Sequence, residues 1–183
     1  MYKPGVIINQ PGFCLPSLIG YDILYYMENI FTPENYELFV KLFIALVLGM
    51  IIGIERVLAH KTAGMRTYAM VSMGAALFVI IGNLVGEKLT GFSSFDPLRM
   101  ASQIVVGIGF LGAGMIVFQE SRLIGLTTAS GLWVAAGIGM ASGFGLYNLA
   151  VITTILAIFI FTVLWIVEQW IKKIPIRKIG ENK

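Results

Sequence analysis

No Asp, Glu, Lys or Arg lies between Arg66 and Glu87, between Arg99 and Glu120, or between Arg122 and Glu168. A helix or strand in water keeps one face charged or polar, and stretches this long without charge cannot. About 20 apolar residues cross a bilayer core, so 67–86 and 100–119 each read as one transmembrane helix. The third gap, 123–167, is roughly twice that length. It breaks in its middle at Ser142-Gly143-Phe144-Gly145-Leu146-Tyr147-Asn148. That reads as a tight hairpin between helices over roughly 124–142 and 148–170. An earlier candidate runs over 36–55, with Glu37 and Lys41 near its start, where long side chains reach the membrane surface. The expected fold is therefore all-α: a polytopic membrane protein, a bundle of five transmembrane helices.

Composition agrees. Hydrophobic residues make up 57% of the 183 and charged residues 13%, against about a quarter charged in soluble domains. Too little charge is present to cover a soluble monomer, and the chain is too apolar to be disordered. A net charge of +3 is too small to point to nucleic acid.

With five spans the two ends lie on opposite sides. One side then holds Arg56, Lys61, Arg66, Arg122, Lys172, Lys173, Arg177, Lys178 and Lys183, and the other only Lys3, Lys88 and Arg99. The richer side is cytoplasmic by the positive-inside rule. The expected topology has the N-terminus outside and the C-terminus cytoplasmic. Trp165 and Trp170 suit an aromatic anchor at the cytoplasmic end of the last span.

Three regions follow. Residues 1–35 form an extracytoplasmic leader broken by Pro4, Pro11 and Pro16, in which 17–31 reads either as an interfacial helix or as plain leader. Residues 36–170 form the five-helix domain, and 171–183 a basic cytoplasmic tail. The lone Cys14 allows no internal disulfide.

Small residues recur every fourth position: Ala45, Gly49 and Gly53; Gly82 and Gly86; Gly109 and Ala113; Gly131, Ala135, Gly139 and Gly143. Such seams let helix backbones approach closely. The last span is bulky, with Ile155, Leu156, Ile158, Phe159, Ile160 and Phe161, and reads as facing lipid.

Polar residues at membrane depth are costly and mark candidate working positions. Glu55-Arg56 closes the first span and Arg66-Thr67 opens the second on the same side. A Glu55–Arg66 ion pair would staple the two helix ends. The alternative is a cytoplasmic docking or anion-binding surface that Arg122, Thr127 and Thr128 join. The other group is Asp96-Pro97-Leu98-Arg99 and Gln103. Asp before Pro before an apolar run predicts a capped helix start. Arg99 and Gln103 share a face that Gly107, Phe110 or Leu111, and Gly114 continue. The residues read either as cap and pair or as a ligand- or ion-sensing mouth. One Asp is too little for an all-protein Mg²⁺ cage. His60 has no Cys or His partner for zinc, and no nucleophile–base pair is evident. Neither a catalytic set nor a cofactor or metal site is therefore expected.

Several motifs occur together in order: GMIIGIER (49–56), AGMRT (63–67), GAALF (74–78), DPLRMASQ (96–103), VGIGFLGAG (106–114), GLTTAS (125–130), Trp133 and Ala135-Ala136. Over roughly 40–165 the chain resembles the MgtC/SapB family of bacterial membrane proteins. The resemblance implies a multi-pass protein of the bacterial inner membrane, linked to growth under Mg²⁺ limitation and to survival inside host cells. It implies a non-enzymatic regulator of other membrane machinery, such as the proton-translocating ATP synthase. The alternative is a transporter or channel for Mg²⁺ or another small ion or solute. Expected partners are the bilayer, a second copy of the chain or another inner-membrane complex, and a small ion. Matched to the family's motifs, the binding positions are Glu55, Arg56, Arg66, Thr67, Asp96, Arg99, Gln103, Thr127 and Thr128. A cytoplasmic ACT-like domain, found in many MgtC proteins, is not expected here, which favours the short, SapB-like form.

Overall fold

A computed structural model describes residues 32–88, 96–119 and 122–173. The chain divides into two units, 1–37 and 38–183. Of the first, only the start of a helix is described, where Thr32 Oγ1 accepts the Asn35 N–H. The leader's 17–31 and the tail's 174–183 lie outside the described residues.

The elements in chain order are α1 (Pro33–Leu58), α2 (Met65–Lys88), α3 (Pro97–Met115), β1 (Val117–Gln119), β2 (Arg122–Ile124), α4 (Leu126–Gly143), α5 (Tyr147–Phe159), a π-helical turn (Ile160–Leu164) and α6 (Trp165–Lys172). The last three form one continuous helix. Each predicted span corresponds to a helix. Four of them, over Asn35–Leu58, Met65–Gly86, Leu98–Met115 and Tyr147–Lys172, are long and apolar enough to cross a membrane. The exception, α4, is built from Gly, Ala, Ser and Thr more than from bulky aliphatics.

Local chemistry sets the helix ends. Asp96 caps α3, its Oδ1 accepting the Leu98 N–H at 2.9 Å, with Pro97 in the first turn. The α4–α5 hairpin falls at the expected break. Gly145 takes a left-handed conformation (φ +77°). The Leu146 N–H donates to the Ala141 carbonyl and the Gly145 N–H to the Ser142 carbonyl, the Schellman ending that glycine favours. Helix α1 ends in the same way. There His60 adopts φ +55°, and the Lys61 N–H donates to the Arg56 carbonyl at 2.9 Å.

The third helix is shorter than predicted. It stops at Met115, and an antiparallel two-strand ribbon follows, pairing Val117 with Ile124 and Gln119 with Arg122. Gly125 (φ +93°) closes it so tightly that a Cβ there would lie 2.0 Å from the Met115 carbonyl oxygen.

Helix α4 is the centre of the bundle. Eleven of its residues are buried, against α2, α3 and α5. Its glycine seam meets backbone: a Cβ at Gly139 would lie 1.9 Å from the Ser72 carbonyl oxygen, and one at Gly143 2.8 Å from that of Ala76. Helix α1 closes on α2 likewise, Gly49 against the Tyr68 carbonyl and Gly53 against the Met65 backbone. The main core joins Leu48 and Ile52 of α1, Tyr68 of α2, Leu132, Ala135 and Ile138 of α4, and Ala157 of α5. A smaller one joins Ala75, Ile108 and Ala136.

Two expectations change. Gly109 and Ala113 of α3 form no packed seam; both are exposed, and nothing lies within 4 Å of a Cβ at Gly109. The fifth helix faces outward at Ile155, Leu156, Phe159 and Ile160, but Phe161 turns inward and is only 8% exposed.

Candidate functional site

The residues marked by sequence fall in two places. The first lies where α1 ends and α2 and α4 begin. Arg56 stands in the last turn of α1, where a cation complements the helix dipole. Its residue exposure is 2%. A charge so buried needs compensation, and Arg56 has two sources. It forms an ion pair with Glu55, and its guanidinium lies over the Phe161 ring, 3.6 Å from the centroid. The π-helical turn Ile160–Leu164 contains that phenylalanine. Such turns insert an extra residue into a helix and recur at functional sites. Beside them, Tyr68 Oη donates to the Thr128 carbonyl at 3.3 Å, tying α2 to the start of α4.

Arg56 forms part of the wall of a polar pocket of about 390 Å³. Around it stand Lys61, from the loop after α1, Thr127 of α4, Phe161 and Trp165, and Glu168, Gln169 and Lys172 of α6. Glu168 and Lys172 pair across one helical turn. Three cations, a carboxylate, a hydroxyl and an amide thus line one cavity at the end of the bundle.

The second place is a groove of about 580 Å³ between α2 and α3. Met70, Val71, Gly74 and Phe78 line one wall, and Met100, Gln103, Ile104, Gly107 and Leu111 the other. Gln103 brings the one side-chain amide into an otherwise apolar lining.

The sites are separate. Helix α3 begins beside the far end of α2, where Met100 packs on Gly82, whereas Arg56 adjoins the beginning of α2. Arg56, Thr127 and Thr128 come together, with Glu55 attached through its ion pair. Thr128 is buried, and Thr127 is exposed to the pocket. Arg66 and Thr67 are exposed on the first turn of α2 and line neither cavity. The expected Glu55–Arg66 staple is not what joins the helices, since Glu55 pairs with its neighbour Arg56. The helices instead close backbone on backbone at Gly53 and Met65. Arg122, on β2, is exposed and outside the pocket. Asp96 is occupied in capping. Arg99 is exposed, its N–H donating to the Asp96 carbonyl and its carbonyl accepting from Ser102 Oγ. Only Gln103 of that trio reaches the groove. Of the face that continues it, Gly107 and Leu111 line the groove with Gln103, whereas Phe110 and Gly114 are exposed, Phe110 81%.

Sequence reasoning missed Phe161, Tyr68, Lys61, Glu168, Gln169 and Lys172. Glu168 and Lys172 carried a signal, as an i,i+4 pair at the foot of an apolar span. Phe161 carried none, because it reads as one more member of the bulky run Ile158-Phe159-Ile160 before it. Among the described residues, no three of His, Cys, Asp and Glu come together to hold a metal ion.

The sequence profile of the MgtC family matches residues 42–170. An uncharacterized Haemophilus influenzae protein is 36% identical over 151 residues, which are 80% of this chain and 63% of that protein. YhiD of Escherichia coli K12, named as a proposed magnesium transporter, is 36% identical over 69% of this chain and 60% of its own length. Protein MgtC of Brucella abortus is 44% identical over 62% of this chain and 45% of its own. The chain thus spans less than two thirds of the length of these relatives. No solved structure matches it.

Proposed function

This chain belongs to the MgtC family, and on that premise we propose that it is a multi-pass regulator of the bacterial inner membrane. It is an interaction module tied to Mg²⁺ limitation or ion homeostasis, and it works by docking rather than catalysis. The single observation that carries this reading is the outer face of α3, where Ser102, Val106, Gly109 and Ala113 are all exposed. Gly109 has nothing within 4 Å of where a side chain would begin. In a bilayer, small residues are where one helix receives another. A second copy of the chain or another inner-membrane protein is the occupant.

The proposed topology has five crossings, with the Arg56–Lys172 end cytoplasmic and the N-terminus outside. Helix α4 crosses despite its modest hydrophobicity because α2, α3 and α5 surround it, so little of it meets lipid. On a Cys14→Ser background, Thr90→Cys is labelled from outside and Lys61→Cys from inside. The reverse pattern overturns the orientation.

Docking is tested by single cysteines at Ser102, Gly109 and Ala113 on the same background. Crosslinking in native membranes yields a discrete adduct, with a second copy or a partner. Gly109→Leu in a separate copy prevents it while the purified protein stays folded. Monomer alone at all three positions counts against the reading.

A second reading, transport of Mg²⁺ or another small ion, is favoured by the groove beside Gln103 and by the name of YhiD. Flux into reconstituted liposomes decides it. Flux that Gln103→Ala leaves unchanged does not run through the groove.

A further inference from the structure

The pocket beside Arg56 lies outside the docking face of α3. We propose that it binds the phosphodiester headgroup of an anionic phospholipid, held by Lys61 and Lys172 above the buried Arg56. The inference rests on the membrane reading of the helices, but not on the identity of any docking partner.

Three observations converge. The first is charge. Arg56, Lys61 and Lys172 stand against Glu55 and Glu168, and three cations against two carboxylates leave about one positive charge. A phosphodiester carries one negative charge and matches it; a phosphomonoester carries nearly two and overshoots. The second is level. Trp165 lines the cavity and Trp170, five residues on, is exposed. Aromatic side chains of this kind sit at the headgroup layer. From Trp165 back to Tyr147 the continuous helix carries no charge and exposes Leu149, Ile152, Ile155, Leu156, Phe159 and Ile160, so an acyl chain running inward from the headgroup meets an apolar wall. The third is donor chemistry. Besides the two lysines, Thr127 and Gln169 line the cavity, and a hydroxyl and a side-chain amide can both donate to phosphate oxygens. Basic pockets between helices at the cytoplasmic membrane surface are suited to lipid headgroups.

Glu168 lines the same pocket and opposes an anionic ligand. It pairs with Lys172. Both side chains are more than half exposed, so Glu168 can turn to water when phosphate takes the lysine.

The test is native mass spectrometry of the full chain purified in mild detergent. It is offered equal amounts of phosphatidylglycerol, phosphatidylethanolamine and phosphatidylcholine. Wild type retains phosphatidylglycerol selectively. Each surface lysine contributes about 1 kcal/mol to anionic lipid binding, so Lys61→Gln and Lys172→Gln each lower retention about fivefold. Glu168→Gln raises it by a similar factor, a gain that misfolding does not mimic. Lys173→Gln, exposed on the next position but outside the pocket, is the control for diffuse surface charge. Equal losses in Lys173→Gln and Lys172→Gln, or no lipid selectivity in the wild type, overturn the proposal. Displacement of the lipid by millimolar inorganic phosphate, with chloride inert, assigns the site to a soluble anion and overturns the headgroup assignment.

Discussion

The guanidinium of Arg56 rests on the ring of Phe161, 3.6 Å from its centroid. The contact fastens the end of α1 to the π-helical turn of the last helix. It couples a buried cation to the one aromatic side chain of that turn. Desolvated cation–π contacts are worth about 2 kcal/mol. A double-mutant cycle with Arg56→Met and Phe161→Leu, followed by unfolding in mixed micelles, should give a coupling of about 1–2 kcal/mol. Additive losses would mean that the two residues merely occupy neighbouring space.

The α2–α4 contact should be intolerant of a single methyl group. Gly139→Ala places a Cβ on the Ser72 carbonyl, which is backbone and cannot move aside. Gly137, two residues earlier on the same helix, has nothing within 4 Å. There an alanine should be neutral or should stabilise, since Gly costs a helix about 1 kcal/mol relative to Ala. Yield and thermal stability of the two purified variants check the contrast. Equal behaviour would show that α2 and α4 are not packed this closely.

These two glycines also show where sequence reasoning reaches its limit. The gaps between charges located α2 to α5, because lipid excludes charge whatever the tertiary packing, while α1 was read as an apolar run that carries Glu37 and Lys41 near its start. Asp96-Pro97 and Phe144-Gly145 announced a helix start and a hairpin, because caps and left-handed turns are decided within a few residues. Which small residues are buried is decided by partners. Gly109 of α3 and Gly139 of α4 sit in similar four-residue seams, yet one is open and the other touches backbone. The paired strands Val117–Gln119 and Arg122–Ile124 escaped notice for a related reason. Val117 and Phe118 continue the apolar run of α3, and only Gly125 and its φ of +93° record the turn. The site followed the same division. Arg56 stood out as a charge at the end of a span, but its partner Phe161 comes from the other end of the chain.

His60 should be improvable. It holds a left-handed backbone conformation at φ +55°, which costs an L-residue roughly 1–2 kcal/mol. Its hydrogen-bonding role belongs to the backbone: the His60 N–H donates to the Val57 carbonyl at 3.0 Å. His60→Gly keeps that bond and removes the penalty from the folded state. Greater freedom of glycine in the unfolded chain takes back part of the gain. The expected result is a melting temperature higher by about 2–4 °C per kcal/mol recovered. His60→Val should lower it, because a β-branched residue tolerates this conformation least. A rise with valine would sink the capping argument.

Asp96 separates a structural role from a functional one. As a cap it needs only a side-chain oxygen that accepts the Leu98 N–H. Asn supplies that oxygen nearly as well as Asp, and Ala supplies none. Asp96→Asn should therefore keep close to wild-type stability, while Asp96→Ala loses about 1 kcal/mol. A carboxylate that attracts a cation behaves differently, because Asn removes the charge as completely as Ala does. Measuring thermal stability and Mg²⁺ flux on the same two variants distinguishes the roles. Stability that falls only in Asp96→Ala, with flux equal to wild type in both, identifies a helix cap. Flux that falls equally in both, whatever the stability, places Asp96 on an ion path and strengthens the transport reading.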